Sequence, residues 1–269
     1  MPRLIPIDAL DRPELAPYLT LRRSDEQERT GLFVAEGPKV IERAFAAGLT
    51  VESMLCTEEW RAHFWSQLTA QATDLPVFVT DIKHLRLLIG FHLFNGALAA
   101  VRVPTPPALT ALLAPAPRPR LWLAFDGLSS AENLGTIVRS AVALGVQAIL
   151  CGETCASPWL RRAVRTSMGA MLAVPIHRSS NLAADLRACT AAGFRCLAAD
   201  ANHGTPAPDA DLRGDLCLVL GSEADGLRPH VAAACPGAVH IPMPGNVDSL
   251  NVAAAAAILL YEAARQRRC

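Results

Sequence analysis

Residues 216–252 constrain the fold more than any other stretch of this 269-residue chain. Two short apolar runs, Leu216–Leu220 and residues 239–241, each end at a turn that carries Gly or Pro. A polar Asp-Ser-Leu-Asn then opens a long Ala-rich stretch with helical character. Strands that end in such turns present backbone N–H and C=O groups at the carboxyl edge of a parallel sheet, where α/β proteins bind ligands. The last third of the chain is therefore predicted to hold a ligand site.

The turn of residues 221–226, Gly-Ser-Glu-Ala-Asp-Gly, has the glycine spacing of a phosphate-binding loop. Leu227 and Arg228 stand where such a loop needs Lys and Ser or Thr. Glu223 and Asp225 would also repel the phosphates of a nucleotide. A neutral or cationic ligand suits this turn better than a nucleotide does.

An abrupt change of composition between residues 104 and 119 predicts a domain boundary. The segment is rich in proline and is expected to act as a semi-rigid linker; its prolines are Pro104, Pro106, Pro107, Pro115, Pro117 and Pro119. Strand-like and helix-like stretches alternate in residues 1–103, which predicts a small α/β domain. The same alternation in residues 120–269 predicts a second domain, a parallel sheet with helices on both faces.

Net charge, cysteine spacing and apolar segments indicate which partners, metals and locations to expect. Lys plus Arg and Asp plus Glu both number 25, so net charge gives no argument for nucleic acid. None of the eight cysteines forms a Cys-x-x-Cys pair, and we expect no metal site. Cysteines in apolar surroundings, such as Cys196 and Cys217, indicate reduced core residues. No signal peptide or bilayer-spanning run is evident, so we expect a cytoplasmic protein without a membrane partner.

A second polar segment, residues 133–139, follows the predicted strand Leu121–Phe125. Its pattern is Asn-x-Gly-x-x-x-Arg, and Asn133 is predicted to open a helix that carries Arg139 nearly two turns later. Two interpretations remain open. Asn133 and Arg139 belong to a functional site, or the pattern is only an N-cap followed by an exposed arginine. The segment lacks Gly-x-Gly-x-x-Gly, which argues against a dinucleotide site.

Taken together, three segments resemble the motifs of SpoU/TrmH-type RNA ribose 2′-O-methyltransferases of the SPOUT superfamily. They are residues 133–139, residues 221–226 and residues 241–252, in the family's order. Residues 166–170, Thr-Ser-Met-Gly-Ala, match the family's usual connecting sequence, and residues 31–37 resemble the start of its N-terminal substrate-binding domain. The resemblance covers nearly the whole chain.

The resemblance implies a deep trefoil knot in the C-terminal domain and a homodimer formed through that domain. It also implies S-adenosylmethionine as cofactor, held in a bent shape largely by backbone groups. Close approach of the backbone to this ligand would explain why Gly221, Gly226, Pro242 and Gly245 occur in the turns. The residues expected to bind the cofactor are Leu220, Gly221, Gly226, Ile241, Met243, Ser249 and Leu250.

The reaction that the resemblance implies moves a methyl group from a sulfonium to a ribose 2′-hydroxyl. Arg139 occupies the matching catalytic position, and a guanidinium is better suited to stabilising negative charge than to removing a proton. Asn133 would orient the hydroxyl or Arg139, and Glu223 would hold Arg139 or Asn133. Ser249 and Asn251 would order the cofactor loop. Alternatively, Glu223, Ser249 and Asn251 would only make hydrogen bonds within their loops.

RNA is the expected partner, ribosomal rather than transfer RNA. A basic helical stretch, with Arg161, Arg162 and Arg165, would bind RNA phosphates or form a solvated face. A rival hypothesis is a catalytically idle RNA-binding or ribosome-assembly protein that keeps the fold. A third is a nucleotide enzyme of Rossmann type.

Overall fold

The computed structural model of the protein describes residues 1–7, 12–19, 29–71, 74–89, 96–114, 117–245 and 247–267. The strands are β1 (Arg3–Pro6), β2 (Leu32–Glu36), β3 (Val51–Cys56), β4 (Pro76–Val79), β5 (Ala97–Arg102), β6 (Leu121–Phe125), β7 (Ala148–Cys151), β8 (Ile176–Arg178), β9 (Arg195–Ala199), β10 (Thr205–Pro206), β11 (Leu216–Leu220) and β12 (Gly237–His240). The helices are α1 (Ala16–Leu19), α2 (Pro38–Ala46), α3 (Glu58–Gln71), α4 (Ile82–Ile89), α5 (Leu109–Leu113), α6 (Ala131–Ala143), α7 (Arg161–Thr166), α8 (Leu182–Ala191), α9 (Pro229–Ala232) and α10 (Val252–Arg267).

Contacts divide the chain into two compact units. The first comprises Met1–Pro104 and Trp159–Leu172, and the second comprises Thr105–Pro158 and Ala173–Cys269. The chain therefore passes between the units three times. The sequence placed residues 159–172 in the C-terminal domain, whereas their contacts group them with the N-terminal unit.

The first unit is built on a five-stranded mixed sheet in the order β1-β4-β3-β5-β2. Strands β1, β4 and β3 are parallel, and β5 runs antiparallel to both β3 and β2. The side chain of Tyr18 is fully buried in the core. Its hydroxyl lies 2.7 Å from Ser53 Oγ and accepts a hydrogen bond from Ala100 N–H at 3.3 Å. These bonds satisfy the one polar atom of a buried aromatic side chain.

Residues 159–172 attach to β2 and α2 of the first unit. The rings of Trp159 and Phe33 lie 5.5 Å apart between centroids. Arg43 donates a hydrogen bond from Nη1 to the carbonyl of Met168 at 2.7 Å. Gly169 has a φ of +78°, and a Cβ there would lie 3.1 Å from Cδ of Arg43, so glycine permits this close approach.

The second unit confirms the predicted parallel α/β architecture. Its seven-stranded sheet has the order β10-β12-β9-β11-β6-β7-β8, and each neighbouring pair is parallel. Every residue of β6 and β11 is buried, which means that both faces of the central sheet are covered. Helices α8 and α9 supply apolar side chains to one face, and α6 and α10 contact each other.

The proline-rich segment, predicted to be a semi-rigid linker, contains a short helix and packs against the second unit. It contains the helix α5, and three of its side chains, Leu109, Leu112 and Leu113, pack against the core of the second unit. The carbonyl of Pro107 lies 2.9 Å from His177 Nδ1. Apolar leucines between the prolines thus anchor the segment to the core of the second unit. Residues 115 and 116 lie outside the described residues.

Local sequence patterns located most strands within two residues. The prediction of Leu216–Leu220 is confirmed. Apolar runs at residues 146–150 and 174–176 also predict strands, but these begin later, at Ala148 and Ile176. Pro175 lacks an N–H, which disfavours an earlier start in a parallel ladder. The strands β1 and β10 were not predicted, because they have only four and two residues, too few to show a hydrophobic pattern.

Candidate active site

A cavity opens at the carboxyl ends of β9, β11 and β12, beside the start of α10. The described residues that line it are Ala199, Asp200, Ala201, Leu220, Gly221, Ser222, Glu223, Ala224, Gly226, Ile241, Met243, Ser249, Leu250, Val252, Ala255 and Leu259. Every residue that the sequence assigned to cofactor binding is among them. The sequence did not predict the wall after β9, residues 199–201. The end of β9 beside β11 was the signal that could have located this wall, since neighbouring parallel strands end at one edge.

The turn of residues 221–226 closes on itself. Ser222 N–H donates to the Gly226 carbonyl at 3.0 Å, and Gly226 N–H donates to the Ser222 carbonyl at 3.1 Å. A Cβ on Gly221 would lie 2.2 Å from the carbonyl carbon of Gly226 and 2.5 Å from the amide nitrogen of Leu227. Gly226 has a φ of +67°. Within the chain itself, therefore, both glycines are needed for turn closure, a reason that differs from the expected approach of a ligand.

Arg228 anchors the exit of this turn. Its backbone N–H donates to Asp126 Oδ2 and its Nε to Asp126 Oδ1, each at 2.8 Å. Its Nη2 also donates to Glu153 Oε1 at 2.7 Å. Asp126 directly follows β6 and is fully buried, whereas Glu153 follows β7. The single arginine thus joins the loops after β6, β7 and β11.

The titration of these groups agrees with a tight ion pair. The hydrogen bond to Asp126, followed by that to Glu153, raises the pKa of Arg228. Partial burial tends to raise the pKa of Glu153. Hydrogen bonds from its own backbone N–H and from the Arg228 guanidinium outweigh this effect, so the pKa of Glu153 is lowered. Sequence reasoning noted Arg228 only as a mismatch to a phosphate loop, and its partners lie 102 and 75 positions away.

A chain of hydrogen bonds joins the three sequence motifs at the rim of the cavity. Asn133 donates through Nδ2 to Glu223 Oε1. Asn251 donates through Nδ2 to Asn133 Oδ1 at 3.4 Å, and its own Oδ1 accepts from Ala253 N–H at 2.9 Å. The last bond satisfies a free amide in the first turn of α10. Of the two partners that the sequence left open for Glu223, the structure places Asn133 within hydrogen-bonding distance.

The start of α6 corrects one sequence-based expectation. Asn133 does not open the helix, because α6 begins at Ala131 and Ser130 Oγ accepts from Asn133 N–H at 3.2 Å as the N-cap. The Asn133 side chain is therefore released from capping and reaches Glu223 instead. Arg139 lies on the exposed surface of α6, about 9 Å further along the helix axis, and does not line the cavity.

The three arginines expected to bind RNA occupy different environments in the first unit. The Arg161 side chain is only 12% exposed and forms an ion pair with Glu36, which is 7% exposed. Arg165 lies 3.5 Å from the same carboxylate but is 46% exposed, and Arg162 is exposed. The basic stretch predicted from the sequence thus separates into a mostly buried arginine, Arg161, and two arginines with more exposed side chains, Arg162 and Arg165.

Asp200 lies at the cavity wall on the loop after β9. Its Oδ1 accepts hydrogen bonds from Asn202 N–H at 2.8 Å, His203 N–H at 2.9 Å and His203 Nδ1 at 3.1 Å. The bond from Asn202 N–H is the largest cause that lowers the pKa of Asp200. The carboxylate is therefore ionised at neutral pH and held by its own loop.

Two absences apply to the described part of the chain. Within it, no three His, Cys, Asp or Glu side chains are grouped so that they could hold a metal ion. No described helix is long and apolar enough to cross a bilayer. Cys196 and Cys217 are buried free thiols, as predicted.

The cavity fits S-adenosylmethionine chemically. Leu220, Ile241, Leu250 and Leu259 offer apolar walls for a flat base, and the residues of the 221–226 turn offer backbone polar groups. Asp200 and Glu223 give negative charge that suits a sulfonium. The hydrogen-bonded amides of Asn133 and Asn251 lie beside Glu223, where a second substrate can approach.

Comparisons with known proteins agree with this chemistry. The SpoU rRNA methylase family model matches residues 120–261, and the MRM3-like substrate-binding domain matches residues 18–86. An uncharacterized tRNA/rRNA methyltransferase of Mycobacterium bovis is 34% identical over 264 residues, which cover 95% of this chain and 90% of that protein.

Solved structures are similar over nearly the full length. An AdoMet-bound rRNA methyltransferase from Sinorhizobium meliloti has a TM-score of 0.85 at 25% identity and covers 97% of this chain and 98% of its own. An RNA 2′-O ribose methyltransferase has a TM-score of 0.78 at 26% identity, with 99% and 100% covered. The chain therefore belongs to the SpoU rRNA methylase family and is an S-adenosylmethionine-dependent RNA methyltransferase.

Proposed function

We propose that this protein methylates a ribose 2′-hydroxyl of RNA, with ribosomal rather than transfer RNA as the substrate, in the cytoplasm. The single observation that carries the proposal is the hydrogen-bonded chain Glu223–Asn133–Asn251 at the rim of the cavity. These three hydrogen-bonded side chains offer two neutral amides and one carboxylate, and such groups are suited to orienting a hydroxyl. The similarity to an RNA 2′-O ribose methyltransferase supports the same reaction.

S-adenosylmethionine supplies a methyl group on a sulfonium with a good leaving group. Because the displacement is in line, positioning of the hydroxyl can provide much of the acceleration. Glu223 fixes the Asn133 amide, and Asn133 in turn orients the ribose hydroxyl. Asn251 holds Asn133 from the other side and caps α10, while Ser249 borders the cofactor. The proposed cofactor contacts are those of Leu220, Gly221, Gly226, Ile241, Met243, Ser249 and Leu250.

Arg139 is proposed to bind an RNA phosphate and to stabilise charge that develops on the attacking oxygen. The guanidinium is exposed, and no hydrogen-bond or ion-pair partner for it is found among the described residues. A planar guanidinium is not deprotonated readily, which favours this electrostatic role over that of a general base.

A homodimer is proposed to complete this site. Helix α10 exposes Ile258 and Tyr261, which are 44% and 63% accessible and stand three residues apart on one helix face. Exposed apolar side chains on one face support an interface formed through the second unit. The trefoil knot that the family resemblance implies is proposed for the same unit. Sedimentation velocity tests the interface, since Tyr261→Glu is expected to yield monomers and a dimeric variant would contradict it.

The first unit is proposed to bind the RNA substrate, with phosphate contacts from Arg162 and Arg165 and with Arg161 as the anchor of their segment. Two accessible cations contribute a salt-dependent affinity of the kind typical of phosphate contacts. The match to a substrate-binding domain model supports this division of roles.

The reaction is tested with purified protein, methyl-labelled S-adenosylmethionine and total RNA that lacks this modification. After alkaline hydrolysis, label is expected in resistant dinucleotides, because a methylated 2′-oxygen cannot attack the neighbouring phosphate. The size of the labelled RNA identifies the substrate. Label confined to mononucleotides would contradict the ribose assignment and indicate base methylation.

Arg139→Ala distinguishes catalysis from an idle binding protein. We expect turnover to fall about 100-fold or more, as for loss of a group that stabilises developing charge, while S-adenosylmethionine affinity is retained. Arg187→Ala is the matched control, because Arg187 is an exposed arginine on α8 that does not line the cavity. Methylation by neither the wild type nor the variants, with RNA binding intact, would favour the idle binding protein.

A further inference from the structure

The charge of the cavity is distinctive. Among the described residues that line it, Asp200 and Glu223 are the two with ionisable side chains, and both are acidic. The described lining residues include no Lys or Arg that would compensate these two carboxylates. Its other side chains are apolar, small or hydroxyl-bearing, which lowers the local polarity and strengthens electrostatic interactions within the cavity.

The two carboxylates are held differently. Glu223 accepts from Asn133 and belongs to the hydrogen-bonded chain of the rim. Asp200 is fixed through Oδ1 by three donors of its own loop, and no partner for Oδ2 is found in the described part of the chain. The Asp200 backbone N–H donates to the Val239 carbonyl at 3.1 Å, so the residue is also tied to β12. Its carboxylate is thus preorganised, with one oxygen available at the wall.

The reaction changes the charge of the cofactor but hardly its shape. S-adenosylmethionine carries a sulfonium, an ammonium and a carboxylate, for a net charge of +1. Transfer of the methyl group leaves a thioether, S-adenosylhomocysteine, with a net charge of zero, and the hydroxyl proton leaves separately. A rigid negative charge at the wall interacts more favourably with the cation, whereas apolar and backbone contacts are common to both molecules.

We propose that Asp200 is a specificity-determining residue that makes the pocket prefer the cationic cofactor over its neutral product. This inference deepens the proposed function and rests on its assignment of the cavity to S-adenosylmethionine. Such a preference reduces inhibition by accumulated product. It assigns a role to the wall after β9, which none of the three sequence motifs includes.

The test measures binding of both molecules to the full-length protein by isothermal titration calorimetry. In Asp200→Asn the side chain keeps its size and an oxygen that can accept from Asn202 and His203, but it loses the charge. We expect affinity for S-adenosylmethionine to fall about five- to tenfold and affinity for S-adenosylhomocysteine to change less than about twofold. An analogue with a protonated amine in place of the sulfonium is expected to respond as the cofactor does.

Asp209→Asn is the matched control, because Asp209 is an exposed acidic residue of the following loop that does not line this cavity. It is expected to leave both affinities unchanged. The salt dependence of binding to the wild type gives a test that does not require the Asp200 variant to fold. Raising the salt concentration screens charge, and the preference for the cation is expected to decrease.

Each alternative outcome overturns the inference. If the affinities for both molecules fell equally in the Asp200 variant, Asp200 would contact a part common to them, such as the ribose. Unchanged affinities, with a salt-independent preference in the wild type, would show that charge at this wall does not select the cofactor. Failure of the wild type to bind either molecule would instead overturn the proposed function itself, and the inference with it.

Discussion

Replacing Arg228 by leucine removes the positive partner of a fully buried carboxylate. Asp126 is 0% exposed and accepts bonds from both the backbone N–H and the Nε of Arg228. Breaking a buried pair from one side costs about 3–5 kcal/mol, because the remaining charge is buried without compensation. The Arg228 side chain is 31% exposed, and its backbone N–H still reaches Asp126, so we expect the lower end, about 3 kcal/mol.

Hydrogen exchange measured by mass spectrometry reports the loss where it occurs, in the amides of β6 and β11. The double variant Asp126→Asn/Arg228→Leu is expected to recover part of the stability, since no buried charge is left behind. Arg213→Leu is the control, because Arg213 pairs with Asp211 at the surface and is 70% exposed. The reasoning would be refuted if Arg228→Leu accelerated exchange no more than Arg213→Leu, or if the double variant were the least stable of the three.

Three further predictions concern other parts of the chain. Gly221→Ala is expected to force the 221–226 turn open and to weaken S-adenosylmethionine binding in calorimetry, whereas Gly214→Ala, outside the cavity and with only Arg195 Nη2 at 3.8 Å from the new Cβ, should bind as the wild type does. Arg161→Met is expected to destabilise the first unit by about 3 kcal/mol in hydrogen exchange, because its carboxylate partner is only 7% exposed; unchanged exchange would mean that Arg161 does not anchor the segment. Hydrogen bonds from Arg265 and Gln266 lower the pKa of Glu262 from 4.5 to about 2. The carboxylate therefore stabilises the fold above pH 4.5, and this contribution is lost as the pH falls towards 2. Urea unfolding of Glu262→Gln should therefore depend less on pH in this range than unfolding of the wild type does.

The sequence by itself determined the class of the fold and pointed to the edge of the sheet where the candidate site lies. Strands such as Leu216–Leu220 are buried on both faces, and a strand of that kind is a continuous apolar run that local pattern identifies. The motifs after β6 and β11 and before α10 also indicated which residues meet, because parallel strands deliver their following loops to one edge. The lining of the cavity contains all the residues predicted for the cofactor.

Only the tertiary structure decided how individual polar groups are paired. Glu223 binds Asn133 across 90 positions, Arg228 binds Asp126 across 102, and Arg161 pairs with Glu36 of the first unit. These partners depend on which strands are neighbours in the sheet and on how loops close, and neither is encoded in a local window of sequence. A charged side chain in a motif therefore predicts that a site exists, but its partner, and hence its role, follows from the packing of distant segments.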